Sequence, residues 1–279
     1  MRLRRLFLSL STKRIRFVVA YDGTDFCGWA PQAGQRTVHR TLTEGVRQVS
    51  GEDVEITGAS RTDSGAHARG QVCHFDQKID LPAERWPRAI NQVLPRDLTV
   101  LGADEVPNDF HSRFSAQNRF YRFRIMMGDR DPHRMRYTWF YGKNLDIAAM
   151  QAGAARLVGE HNFLAFSQLL EPHQTSVRTL YKVDVRHVRD EVWIDVVGTA
   201  FVRGMMRRIS GSLWEIGRGK YAPDWIDDLL AQRDRAQIKW PTLLPACGLT
   251  LMKIKYGRHP RDHRIFPSLA EGIREDNDE

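Results

Sequence analysis

Cysteine is scarce in this chain of 279 residues: Cys27, Cys73 and Cys247 stand apart, with no CxxC pair. That excludes a disulfide framework and a zinc ribbon and points to a reducing, cytoplasmic setting. No uncharged stretch approaches the ~20 apolar residues that span a bilayer, so no membrane segment is expected. Glycine strings of the GxGxxG or GxxxxGKS/T type are missing, which argues against a nucleotide cofactor. His67 and His74 lie seven apart with Cys73 beside the second, but no further cluster completes a ligand set. No metal and no cofactor are therefore expected. With 21 glycines and 12 prolines there is no low-complexity bias, and 42% hydrophobic with 27% charged residues is the make-up of a globular protein.

What is present is positive charge, +8 in all. Arg2, Arg4, Arg5, Lys13 and Arg14 supply five of these near the start without a single acid, whereas residues 258–279 carry a net −2. Residues 15–257 keep +5, mild for a nucleic-acid binder, so clustering matters more than the sum. Residues 1–13 read as a flexible basic extension and 258–279 as a flexible tail.

Between these ends the periodicity is mixed. Strands are expected at Ile15–Tyr21, Val54–Ile56, Gln71–Phe75 and Leu98–Leu101, with helices from Val38 to Val49 and from Ala83 to Val93. The order then partly repeats: strand Arg119–Ile125, helix Leu145–Leu157, strands Lys182–Val188 and Val192–Val197, helices Phe201–Ile216 and Pro223–Leu230, strand Leu249–Lys255. This is an α+β chain in two halves, 14–110 and 111–257, although no repeat is visible residue by residue.

Three segments carry candidate chemistry. The polar loop Ser60–Arg69 holds Asp63 between two apolar strands, a place where catalytic groups are displayed. On composition alone a plain turn, with the Asp63 carboxylate bonding nearby N–H groups, is the simpler reading. Residues 111–127 hold four arginines and four aromatics with no acid; on a strand, Arg119, Tyr121 and Phe123 share one face while Phe120, Arg122 and Arg124 share the other. Cations among aromatic rings suit unpaired bases and their phosphates, and equally a half-buried strand with solvated arginines. In the helix expected from Phe201, Val202, Met205, Met206, Ile209 and Leu213 form a buried arc. Arg203, Arg207 and Gly211 lie on a polar one, and Gly204 and Gly211 suggest a close approach there.

Taken in register, these residues resemble the tRNA pseudouridine synthase A family. The likeness rests on Arg61-Thr62-Asp63 with Gly65 and His67, Gly70-Gln71-Val72 with His74-Phe75, and Tyr21-Asp22-Gly23 with Gly28-Trp29. It continues through Arg113-Phe114-Ser115-Ala116, Tyr121-Arg122, His161-Asn162-Phe163, Arg178, Phe201 with Met205 and Arg207, Gly211-Ser212-Leu213 and Gly248-Leu249. Departures at Ala30, Ser60, Ala66 and Phe120 touch none of the chemical groups. The resemblance implies two similar α/β halves of ferredoxin-like type sharing a central, mostly antiparallel sheet flanked by helices, usually in a homodimer. It also implies isomerisation of uridine to pseudouridine in the anticodon stem-loop of tRNA, at tRNA positions 38 to 40, without a cofactor. By the same resemblance Asp63 is the catalytic aspartate, Tyr121 the active-site tyrosine, Arg207 the partner of Asp63, and Arg61 a residue that handles the flipped nucleotide. Arg113, Arg122, Arg203 and Arg208 would then hold phosphates.

The chemistry suits these residue types. The reaction breaks a glycosidic bond at N1, turns the uracil and rejoins it through C5, with no redox change. A carboxylate can act as a nucleophile toward C6 or C1′, or as the base that removes the C2′ proton. Arg207 could neutralise it by a bidentate pair. Two other readings stay open here: an RNA-binding protein without catalysis, and a hydrolase that releases free uracil.

Overall fold

The computed structural model describes residues 12–168 and 175–257. The expected basic extension and tail fall largely on 1–11 and 258–279, outside the described residues, but Lys13 already belongs to the first strand. In chain order the elements are β1 (Lys13–Tyr21), α1 (Val38–Ser50), β2 (Thr57–Gly58), β3 (His67–Gln77), α2 (Trp86–Ile90), β4 (Leu98–Val106), β5 (Ala116–Met126), β6 (Trp139–Phe140), α3 (Ile147–Ala155), β7 (Gly159–Asn162), β8 (Val177–Val188), β9 (Glu191–Gly198), α4 (Met205–Gly217), α5 (Trp225–Ala231) and β10 (Leu249–Tyr256). No helix among the described residues is long and apolar enough to cross a membrane.

All ten strands join one sheet, ordered β4-β1-β3-β10-β5-β9-β8-β7, with β2 on β3 and β6 on β5. The two halves repeat at the level of topology. In the first, β4, β1, β3 and β2 lie side by side and every pair is antiparallel. In the second, β10, β5, β9 and β8 do the same. One helix follows the first strand of each set and another precedes the last. The halves meet where β10 pairs parallel with β3 through Thr250–His67 and Leu251–Ala68. Further along the same edge of β3, its partner is β2, through Thr57–His74 and Gly58–Cys73. The loop between β2 and β3, which carries Asp63, therefore sits at the seam of the two halves.

Local chemistry explains the elements. The alternation of β1 buries Ile15, Phe17, Val19 and Tyr21 on the helix-covered face, where Phe17 meets Trp86 of α2 edge-on at 5.5 Å. Each such buried side chain contributes about 2 kcal/mol. The Thr37 hydroxyl accepts from the Arg40 N–H to start α1, and Gly51 ends it in the left-handed conformation.

Several expectations are corrected. Val54–Ile56 is not a strand, and the short β2 follows it. β3 begins at His67, inside the stretch read as loop, because His67 and Ala68 find a ladder partner in distant β10. The helix expected over Ala83–Val93 is a single 3-10 turn followed by the five-residue α2, since Pro87 suits only a first helical turn. The helix expected from Phe201 starts at Met205, with Gly204 as its N-cap at φ 76°. Arg203 therefore precedes the helix rather than sharing an arc with Arg207. β6 and β7 were not foreseen; neither exceeds four residues.

Candidate active site

The Asp63 loop is built on glycine and backbone contacts. The Asp63 carbonyl accepts from the Ala66 N–H at 3.1 Å, and Gly65 takes φ 80°, so a turn is indeed present. The carboxylate, however, points elsewhere: Arg207 Nη1 donates to Asp63 Oδ2 at 3.3 Å. Below the loop lies Phe26-Cys27-Gly28-Trp29, with Phe26 and Trp29 buried. Trp29 N–H donates to the Thr62 carbonyl and Gly65 N–H to that of Phe26. A Cβ on Gly28, at φ 83°, would stand 2.7 Å from the Thr62 oxygen, so only glycine fits. Thr62 Oγ1 pairs with the Tyr21 hydroxyl at 2.8 Å, and the Gln71 amide bonds both the N–H and the carbonyl of Ser60.

Arg207 is oriented by a segment that sequence reading missed. Its Nε donates to the Leu244 carbonyl at 2.6 Å, leaving Nη1 for Asp63. The pair is a single long contact, not the bidentate fork expected, while Nε is bound to Leu244. Side-chain exposures of 17% for Arg207 and 20% for Asp63 leave both within reach of solvent. The signal for this segment was Gly211: a Cβ there would stand 1.9 Å from the Thr242 oxygen, so the close approach it implied is to the protein's own backbone.

Tyr121 lies on the helix-covered face of β5, its ring edge-on to Phe201 at 4.9 Å. Burial raises its hydroxyl above the usual phenol range, and the Asp63 charge adds to this, while a hydrogen bond with Ser60 and the Arg119 cation oppose it. Asp63, Tyr121 and Arg207, 144 residues apart at the extremes, thus share one electrostatic neighbourhood.

The remaining arginines divide. Arg61, Arg113 and Arg203 are exposed on loops, with Arg113 beside the Phe114 ring at 5.6 Å. Arg208 donates to the Pro241 carbonyl and lies over the Trp240 ring at 4.8 Å. Arg122 does not join the cluster: it points to the opposite face of the sheet and forms a bidentate pair with Asp195 at 2.7 and 2.8 Å. Arg124 does likewise with Glu191. Residues 111–127 contain no acid, but the facing strand β9 supplies Asp195 for Arg122 and Glu191 for Arg124.

A reachable carboxylate held by one arginine beside a buried phenol is the equipment of an acid–base or nucleophilic enzyme. A profile of the tRNA pseudouridine synthase family matches residues 17–115 and 154–257, and this chain belongs to that family. It is similar to tRNA pseudouridine synthase A of Brevibacillus brevis, 40% identical over 248 residues, or 88% of this chain and all of the relative. The enzyme of the same name from Geobacillus kaustophilus is 38% identical over 263 residues, or 94% of this chain and all of the relative. Among solved structures, a Cbf5-Nop10-Gar1 complex aligns with 72% of this chain and 45% of its own, at 12% identity and a TM-score of 0.32.

Proposed function

We propose that the chain isomerises uridine to pseudouridine in the anticodon stem-loop of tRNA, with Asp63 as the essential carboxylate. The supporting observation is the convergence of Asp63 and Arg207 at 3.3 Å beside Tyr121, from three separate segments of the chain. Arg207 offers the carboxylate an opposite charge and aims it, since its Nε is tied to Leu244. Whether Asp63 attacks carbon or removes the C2′ proton, it acts as the anion, and a partner that stays protonated serves both routes. The target base must first leave its stack, at a cost of a few kcal/mol, and it then lies against the Tyr121 and Phe201 surface. Arg61, Arg113 and Arg203, exposed on the loops beside these residues, meet phosphates in this reading and make binding salt-dependent. The scattered cysteines fit the cytoplasm, and the family likeness supports a homodimer, expected in light scattering at twice 32.2 kDa.

The test uses tRNA carrying tritium at uridine C5. Wild type should release the label, and Asp63→Asn should bind the tRNA without releasing it. Release by the variant at the wild-type rate would end the role assigned to Asp63. Free uracil among the products would favour hydrolysis instead, and no release by wild type on any tRNA would favour RNA binding alone.

A further inference from the structure

Arg119 stands two residues before Tyr121 on β5, on the same face, and its side chain is buried with a total exposure of 7%. A buried guanidinium ordinarily faces a carboxylate. This one makes no ion pair among the described residues. Its donors go to four backbone carbonyls: Nη1 to Thr199 at 2.6 Å and Ala116 at 3.4 Å, Nη2 to Arg113 at 2.8 Å and Ala59 at 3.4 Å. Three of those carbonyls open or belong to separate loops. Ala59 leads into the loop of Arg61 and Asp63, Arg113 sits in the loop before β5, and Thr199 begins the turn that carries Phe201 and Arg203 ahead of α4.

We infer that Arg119 is a positioning residue that locks these three loops to the strand bearing Tyr121, so that the carboxylate, the phenol and the exposed arginines keep one mutual geometry. The inference rests on Asp63 being the reactive group. Only a planar fork reaches three carbonyls lying in different directions; a lysine ammonium offers its donors from one point. Among the described residues no other side chain bonds all three loops: the Asp63 loop is held from below by Phe26 and Trp29, and the Thr199 loop by Thr179. A carboxylate in place of these carbonyls would have neutralised the cation. As built, the guanidinium keeps its charge beside the Tyr121 hydroxyl, and burial lowers its own affinity for the proton.

Arg119→Lys retains the charge and loses the fork. The kcat of tritium release should fall about 30- to 100-fold, the size of effect that small misplacement of reacting groups produces. The tRNA dissociation constant should change less than about threefold, because the exposed arginines persist. Amide hydrogen exchange should accelerate together in residues 59–66, 110–116 and 199–204, while α1 and α3 keep wild-type protection. Arg119→Gln, with half a fork and no charge, should repeat the exchange pattern with a larger fall in kcat. The inference is overturned by wild-type kcat in Arg119→Lys, by acceleration confined to one of the three segments, or by loss of protection throughout the chain, which would make Arg119 a residue of the fold. Asp63→Asn run in parallel separates the two readings: if it turns over normally the carboxylate assignment fails, while the exchange result still decides the locking of the loops.

Discussion

The two faces of β5 use the same residue type in opposite ways. Arg119 and Arg122 are three residues apart on one strand, and both are largely buried by their neighbours. On one face, among the described residues, Arg119 is met by carbonyl oxygens and by no carboxylate, and its charge stands next to Tyr121. On the other, Arg122 lies 4.0 Å over the Trp193 ring and shares Asp195 with Arg186. Partial charges can orient a guanidinium without cancelling it, whereas a carboxylate cancels it and fixes it in place. The Tyr121 side therefore keeps a cation that no carboxylate of the described residues cancels, and the far side uses its arginines to staple β5 to β9. Arginine count alone does not separate these roles.

This contrast can be broken experimentally. The largest effect belongs to Asp63→Asn, which should lower turnover by at least about 10³-fold with little change in melting temperature, since the carboxylate makes one long contact. Arg207→Gln comes next. Losing the charge-assisted bond to Asp63 should lower kcat about 10- to 100-fold, with tRNA binding affected less than turnover in a filter-binding assay. Arg122→Gln should do the reverse: kcat within about twofold of wild type and stability lower by about 1 kcal/mol in urea melts, because Asp195 keeps Arg186. A large loss of turnover with unchanged stability in Arg122→Gln would erase the distinction between the faces.

The smallest effect concerns pH and the scaffold. Burial, with Arg14 adding, pushes His74 down to about 4. Its Nδ1 lies 3.0 Å from the Ser112 hydroxyl and accepts from the Ser112 N–H, so the folded state wants it neutral. Below the ordinary histidine value of about 6.5 the unfolded chain takes the proton first, so stability is full above that pH and falls as pH drops toward about 4. His67 and His111, also lowered by burial, act in the same direction. The melting temperature should fall between pH 7 and pH 5, and fall less in His74→Gln; an identical drop in both would remove His74 from the account.

Much of the site was legible because its residues sit in short local patterns. The Asp63 turn, the alternation of β5 and the arginines of α4 each lie within about ten residues, although on local pattern alone the first also reads as a plain turn. What was not legible depended on partners far away. Glu191 and Asp195 look like ordinary strand acids until β9 is laid against β5 in register, Arg124 to Trp193 and Arg122 to Asp195. Arg203 fits a helical arc until Gly204 adopts φ 76° and starts the helix after it. Gly211 signalled a close approach correctly, but a glycine does not say what approaches; here it is the Thr242 backbone.

By itself the sequence determined an α+β chain in two halves and the face that each β5 residue takes, while the roles of the candidate carboxylate, phenol and arginine are what the family resemblance implies. Strand alternation and turn chemistry act over a few residues and are written in the order of side chains. Only the tertiary structure decided that the halves repeat one strand order, that β10 closes the seam beside the Asp63 loop, and which arginines are cancelled. Those outcomes come from pairing between segments far apart in the chain, as where Thr250 of β10 lies beside His67 of β3. No local pattern encodes what a charge will face once the chain has closed.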